Sequence, residues 1–147
     1  MEIKMTLPLK FSELLNTYLN KSIGVCCLEG HIFYYGKLVK VRKNSIVLFE
    51  KGINYSIDIE KIYCFTPAPA YAIHTKTHFE QSKTTLYFDL QRYLGKTVMI
   101  RQKGEITCST EGEIKFIGKD YIVMLNYYDN ALTYIHADEN LQFFTFG

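Results

Sequence analysis

Apolar and polar positions alternate with a period of two through two long stretches of the chain. These are "GKLVKVRKNSIVLF" (Gly36 to Phe49) and "GEIKFIGKDYIVML" (Gly112 to Leu125). Each reads as a strand, a polar turn ("RKNS" or "GKDY") and a second, more apolar strand. The period changes to 3–4 in "SELLNTYLN", where Leu15, Tyr18 and Leu19 share one face of a short helix with Ser12 as its N-cap. A matching helix is expected over "YFDLQRYLG", capped by Asp89 and stopped by Gly95. After each helix comes a strand rich in β-branched or apolar residues, "KSIGVCCL" or "KTVMIRQ", and a Gly-containing turn leads into the next strand.

These elements occur in the same order twice. Sliding the chain by 75 residues places Leu15, Tyr18, Leu19 and Lys21 on Leu90, Tyr93, Leu94 and Lys96. An offset of 76 then matches Gly36, Leu38, Val41, Lys43, Ile46 and Val47 with Gly112, Ile114, Ile117, Lys119, Ile122 and Val123. An offset of 79 lays "YSIDIEKIYCF" over "YIHADENLQFF". The pattern predicts a tandem duplication, each copy being a helix followed by five short, bent strands. So small a unit buries little surface alone, which predicts packing between the copies. The expected boundaries are 1–66 for the first unit, 67–85 for a linker and 86–147 for the second. The linker opens with Pro67 and Pro69, and "AYAIHT" within it is able to pair as an extra strand.

Composition agrees with a β-rich globular protein. Hydrophobic residues make up 48% and charged residues 22%, which excludes a disordered chain, and the 12 Tyr and 10 Phe favour strands. A net charge of +2 is too mild to argue for nucleic acid by itself. No apolar run approaches the roughly 18 residues of a membrane span. "MEIKMTLPLKF" has no signal-peptide core, so a cytoplasmic protein with reduced cysteines is expected.

On these residues the chain resembles the Sm-like family, which includes Hfq and short bacterial Sm-like proteins. The likeness rests on Gly36, Leu38, Val41 and Ile46–Leu48 in the first copy, and on Gly112, Ile114, Ile117 and Ile122–Met124 in the second. The leading helix and the "YLGK" entry into the first strand of copy two add to it. The resemblance covers roughly residues 11–66 and 86–146 and implies two tandem five-stranded bent-sheet barrels, each with a leading helix. It also implies self-association through barrel edges; a homotrimer would supply six barrels, and a closed pseudo-dimer within the chain is the competing geometry. Its commonest role is RNA binding. The chain departs from the family where an acidic residue usually follows the hydrophobic position of the turn, having Arg42 and Gly118 there. Where Hfq has a Tyr-Lys-His run, this chain has "DIEK" and "ADEN", whose acidic side chains would repel phosphate.

Candidate binding residues are Lys37, Lys40, Arg42 and Lys43, with Lys119, Tyr127 and Tyr128 from the second copy. On a strand Lys40 and Arg42 share one face and Val39 and Val41 the other. The cations fit a phosphate-tracking strip or an ordinary solvated strand face, and the tyrosines fit base stacking or a protein interface. Phe33, Tyr34 and Tyr35 are aromatic candidates of the same kind, but they alternate along a strand, so one or two are expected in the core, Phe33 among them. His74 and His78 are four apart but lack an evident third ligand, and Cys26 and Cys27 point to opposite faces of a strand, so no metal is expected. The cysteines read as buried small hydrophobes. No nucleophile elbow, phosphate loop, HExxH or paired-carboxylate signature is present, and His136 has no evident acid–base partner, so neither enzyme nor cofactor is expected. The expected function is a non-catalytic binder of RNA or short nucleic acid. The alternatives are a protein-interaction or scaffolding module and, less favoured, a nucleotide-sequestering protein.

Overall fold

The computed structural model describes residues 3–28, 32–67, 77–79, 92–102, 108–127, 131–137 and 141–145. It is mainly β. Strands β2 (Ser22–Cys27), β3 (Phe33–Val41), β4 (Ser45–Glu50), β5 (Ile53–Asp58) and β6 (Ile62–Pro67) follow the helix α1 (Phe11–Asn16). Strands β8 (Thr97–Gln102), β9 (Ser109–Ile117), β10 (Tyr121–Asn126), β11 (Leu132–His136) and β12 (Leu141–Thr145) make up the second half. All ten hydrogen-bond into one open antiparallel sheet of order β12-β8-β9-β10-β11-β6-β2-β3-β4-β5. Within each half the first strand therefore lies between the second and the fifth. The halves join where β11 pairs with β6, Tyr134 opposite Phe65 and Ile135 opposite Cys64. A separate parallel pair links β1 (Ile3–Met5) to β7 (Thr77–Phe79). Residues 70–75, where an extra strand is expected, and most of the expected second helix lie outside the described residues.

Local chemistry sets the bends. A Cβ on Gly36 would stand 2.7 Å from the Phe49 carbonyl oxygen, and one on Gly112 would collide with that of Leu125. Glycine at both places lets the second strand close onto the third where the sheet turns. Register shifts follow, between Leu38 and Lys40 against β4 and at Val123/Met124 against β9. The turn before the first strand also recurs: Lys21 N–H donates to the Tyr18 carbonyl and Lys96 N–H to that of Tyr93, both at 2.9 Å. Asn20 (φ +69°) and Gly95 (φ +78°) each reverse the chain there in the left-handed region.

The helix start differs from the expectation. Ser12 lies inside α1 and Lys10 precedes it. The orphan amides are met by Glu13 Oε1, which accepts from Lys10 N–H at 3.2 Å, and by Asp120 Oδ1, which accepts from Phe11 N–H at 2.7 Å. Asp120 belongs to the second half, so this cap is long-range and invisible to local sequence patterns.

Two interiors occupy opposite faces of the curling sheet. One gathers Phe11, Leu14, Leu15, Ile23, Val25, Leu38 and Phe65 with Phe116, Tyr121, Val123, Leu132 and Tyr134. The other gathers Val98, Ile100, Ile114, Ile122, Met124 and Ile135 with Cys26, Tyr63 and Cys64. Each half thus contributes side chains to both interiors, and the middle strands β2, β6, β10 and β11 are buried on both faces. The N-terminal segment straps the second half down. The Tyr121 hydroxyl donates to the Pro8 carbonyl, and Lys119 N–H donates to that of Leu9 at 2.7 Å.

Candidate nucleic-acid interface

On β3 the outward positions are Phe33, Tyr35 and Lys37. The register shift then turns both Val39 and Lys40 outward, while Val41 packs against the core. This corrects the simple alternation, in which Val39 and Val41 share the buried face: the bulge adds a residue and moves Val39 to solvent. Lys40 and Arg42 do line one shallow depression of about 370 Å³, with Val39, Val47, Asn54 and Ser56.

The expectation that Phe33 is core is overturned. Phe33 is 59% and Tyr35 54% exposed, with ring centroids 6.3 Å apart and planes inclined by only 13°. Gly24 makes room for this arrangement. It is the cross-strand partner of Tyr35, and a Cβ there would stand 2.7 Å from the tyrosine ring. The buried member of the "FYY" run is Tyr34, which packs against Tyr55 at 5.3 Å. Lys37 continues the row, with Ser22 on one side and Phe49, itself 43% exposed, on the other. Phe33 is thus a candidate that sequence reasoning set aside as core, and Phe49 is one it did not single out. The available signal was the glycine one strand away, facing an aromatic.

The cations on this face are uncompensated. The ion pairs among the described residues are Lys61–Asp58, Lys115–Glu113 and His136–Asp120, and none involves Lys37, Lys40 or Arg42. At the matching positions of β9, Tyr35 and Lys37 are replaced by Glu111 and Glu113, the latter paired with Lys115 at 2.5 Å. The cationic row of β3 therefore has no counterpart on β9.

The other candidates lie elsewhere. Lys43 lines a cleft of about 490 Å³ between the halves with Ser12, Asn44, Asp58, Ile59, Glu60, Asp120 and His136. Its carboxylates outnumber Lys43, so the field there disfavours phosphate. His136 does have a partner, contrary to the sequence reading. Its Nε2 lies 4.0 Å from Asp120 Oδ2, and its ring stacks on Phe11 at 4.5 Å. Lys119 is exposed in the turn after β9, and Tyr127 is 67% exposed beyond β10 with its N–H bonded to the Glu111 carbonyl. Neither adjoins the β3 row by strand pairing. Tyr128 and His74 lie outside the described residues.

Cys26 and Cys27 do face opposite interiors, and all four cysteines are buried and outside any disulfide. Among the described residues no group of three or more His, Cys, Asp or Glu is arranged to hold a metal ion, and no helix is long and apolar enough to cross a membrane. In comparison with known proteins, no family model matches the chain. No curated protein aligns with it at a significant level.

Proposed function

We propose that the chain is a non-catalytic protein of two tandem Sm-like barrels that binds single-stranded RNA or short nucleic acid on the outer face of β3–β5. The observation carrying this reading is the continuous row Phe33, Tyr35, Lys37, Lys40 and Arg42: two parallel exposed rings, then three cations with no ion-pair partner among the described residues. Exposed rings accept bases by stacking, worth about 1–3 kcal/mol per base, while cations beside them track the phosphates. The Sm-like reading is supported by the strand order of each half and by equivalent glycines, bulges and turn hydrogen bonds at the offsets of the internal repeat.

Fluorescence anisotropy of a labelled single-stranded oligoribonucleotide at low salt tests the proposal. Saturable binding is expected. It should be lost in the Lys37→Ala/Lys40→Ala/Arg42→Ala triple variant and unaffected by Glu111→Gln/Glu113→Gln. Failure of the wild-type protein to shift the oligonucleotide at low salt overturns the reading.

Self-association through sheet edges belongs to the same proposal. The unpaired edges are β5 and β12, the fourth strand of one half and the fifth of the other. Inside the chain this same combination, β11 with β6, forms the junction. Transposing that junction by the 79-residue offset sets Tyr55 opposite Phe144 and Ser56 opposite Phe143 of a neighbouring copy. Repetition of such a contact closes a ring, of which a homotrimer is the six-barrel case. A protein-interaction role is the second reading, favoured by the exposed Ile32 and Ile53. Partners that resist nuclease in a pull-down, together with no oligonucleotide binding, would select it.

A further inference from the structure

Three cysteines distant in sequence converge at the seam between the halves. Cys26 on β2 and Cys64 on β6 are cross-strand partners. Such partners leave the same face of a sheet with Cβ atoms about 4.5–5.5 Å apart. Their Cα separation, about 4.5–5.5 Å in antiparallel pairs, lies within the disulfide range. Cys108, just before β9 in the second half, brings its Sγ to 3.8 Å from the Cys27 carbonyl oxygen, which also accepts from Cys26 Sγ at 3.9 Å. Cys26, Cys64 and Cys108 belong to one buried cluster at this seam.

We propose that Cys26 is a redox-modified thiol, oxidised by a hydroperoxide and resolved by Cys64 into a disulfide that clamps β2 to β6. Cys26 stands directly opposite Cys64 on the neighbouring strand, and its surroundings favour its thiolate. The Cys64 hydrogen bond lowers its pKa from the ordinary value near 9 to about 7, against the opposing effect of burial and with help from Cys108. Cys64 is held protonated, chiefly by that same hydrogen bond and then by burial. The other cross-strand partner of Cys26 is the exposed Phe33.

The chemistry balances. The Cys26 thiolate attacks the peroxide, forming an S–O bond and breaking the O–O bond; the departing hydroxide takes a proton and leaves as water. The sulfur of Cys64 then displaces hydroxide from the Cys26 sulfenic acid, forming the S–S bond, and the Cys64 proton leaves with that hydroxide as a second water. Two thiols lose two electrons in total, and the peroxide gains them.

The test uses the reduced full-length protein, a small molar excess of hydrogen peroxide, alkylation and peptide mapping. Wild type should lose two alkylatable thiols and yield one Cys26–Cys64 linked peptide. Cys64→Ser should stop at a sulfenic acid on Cys26, trapped by dimedone. Cys108→Ser should still form the disulfide, about tenfold more slowly. Circular dichroism checks that each variant is folded, and the wild-type mapping decides the matter if one is not. Four alkylatable thiols after peroxide, a linked peptide lacking Cys26, or dimedone on another cysteine would overturn the proposal.

Discussion

The hydroxyls of Tyr18 and Tyr134 meet at 2.7 Å, one from the turn after α1 and the other from β11 in the opposite half. Their rings lie 5.7 Å apart, and both rings pack on Phe65. Tyr63 makes the reciprocal crossing, its hydroxyl reaching Thr110 Oγ1 at 3.0 Å and the Ile100 carbonyl at 3.2 Å. Replacing either Tyr18 or Tyr134 by Phe should cost about 1 kcal/mol. The double variant should cost clearly less than the sum, because the second change removes a hydroxyl already deprived of this bond. Urea unfolding of the four proteins measures the cycle, and strict additivity would argue that the two hydroxyls act independently.

The two bend glycines should be intolerant of a methyl group. Gly36→Ala and Gly112→Ala each drive a Cβ into a backbone carbonyl of the neighbouring strand, at Phe49 and Leu125. A loss of about 1–3 kcal/mol is expected for each, the cost of an overpacked site. Gly52→Ala is the comparison: nothing lies near its Cβ, and only its φ of +81° opposes the change. It should cost about 1 kcal/mol. Equal effects at all three sites would contradict the close approach inferred at the bends.

Nucleic-acid affinity should respond separately to rings and charges. Gly24→Ala pushes on the far end of the Tyr35 side chain rather than on backbone, so the ring should tilt away. Binding should weaken severalfold with little change in the unfolding midpoint. Lys40→Ala should instead flatten the dependence of log affinity on log salt by about 0.7, the single-strand increment for one phosphate contact. An unchanged slope would remove Lys40 from the interface.

Alkaline pH should destabilise the fold. Burial pushes the phenols of Tyr63 and Tyr121 well above their ordinary range and raises Cys108 from near 9 to about 11. A group whose pKa is raised by folding contributes stability fully below its unfolded value and loses it as pH climbs through the folded one. Cys26 acts in the opposite sense, its lowered pKa contributing above pH 9 and fading as pH falls through about 7. With the raised groups in the majority, urea midpoints should fall steadily from pH 9 to 11. A flat profile there would mean these groups titrate as freely in the native state as in the unfolded one.

Edge pairing makes a prediction about mass. Phe144 on β12 is 41% exposed and, in the proposed edge contact, would face Tyr55 of another copy. Phe144→Glu should lower the assembly to a single chain in native mass spectrometry while leaving circular dichroism unchanged. A wild-type protein that is already monomeric at micromolar concentration would refute the edge contact.

Much of the strand layout was legible in the sequence, because alternation and turn chemistry are local. Gly36, Gly112 and Gly95 fall where expected, and the strand pairs β3–β4 and β9–β10 occupy the two stretches of clearest alternation. What escaped depends on distant contacts. Phe33 was read inward because aromatic residues usually bury, yet the surface beside it is closed only from β2 onward, where the second half covers Cys26. Val39 was misassigned because a bulge does not show in an alternation pattern. The cap from Asp120, its pairing with His136 and the meeting of Cys26, Cys64 and Cys108 all require the halves to be assembled first.

The sharing of interiors bears on how the protein is made. When the first half leaves the ribosome, Cys26, Tyr63 and Cys64 have no apolar cover, since the cluster that buries them is built from β8–β12. The nascent chain therefore passes through an interval in which the β6 edge is unpaired and sticky. A second half supplied by a neighbouring nascent chain would satisfy that edge as well as its own would. Dimers made by exchange of whole halves between chains are thus the characteristic by-product to look for when synthesis is crowded or slow.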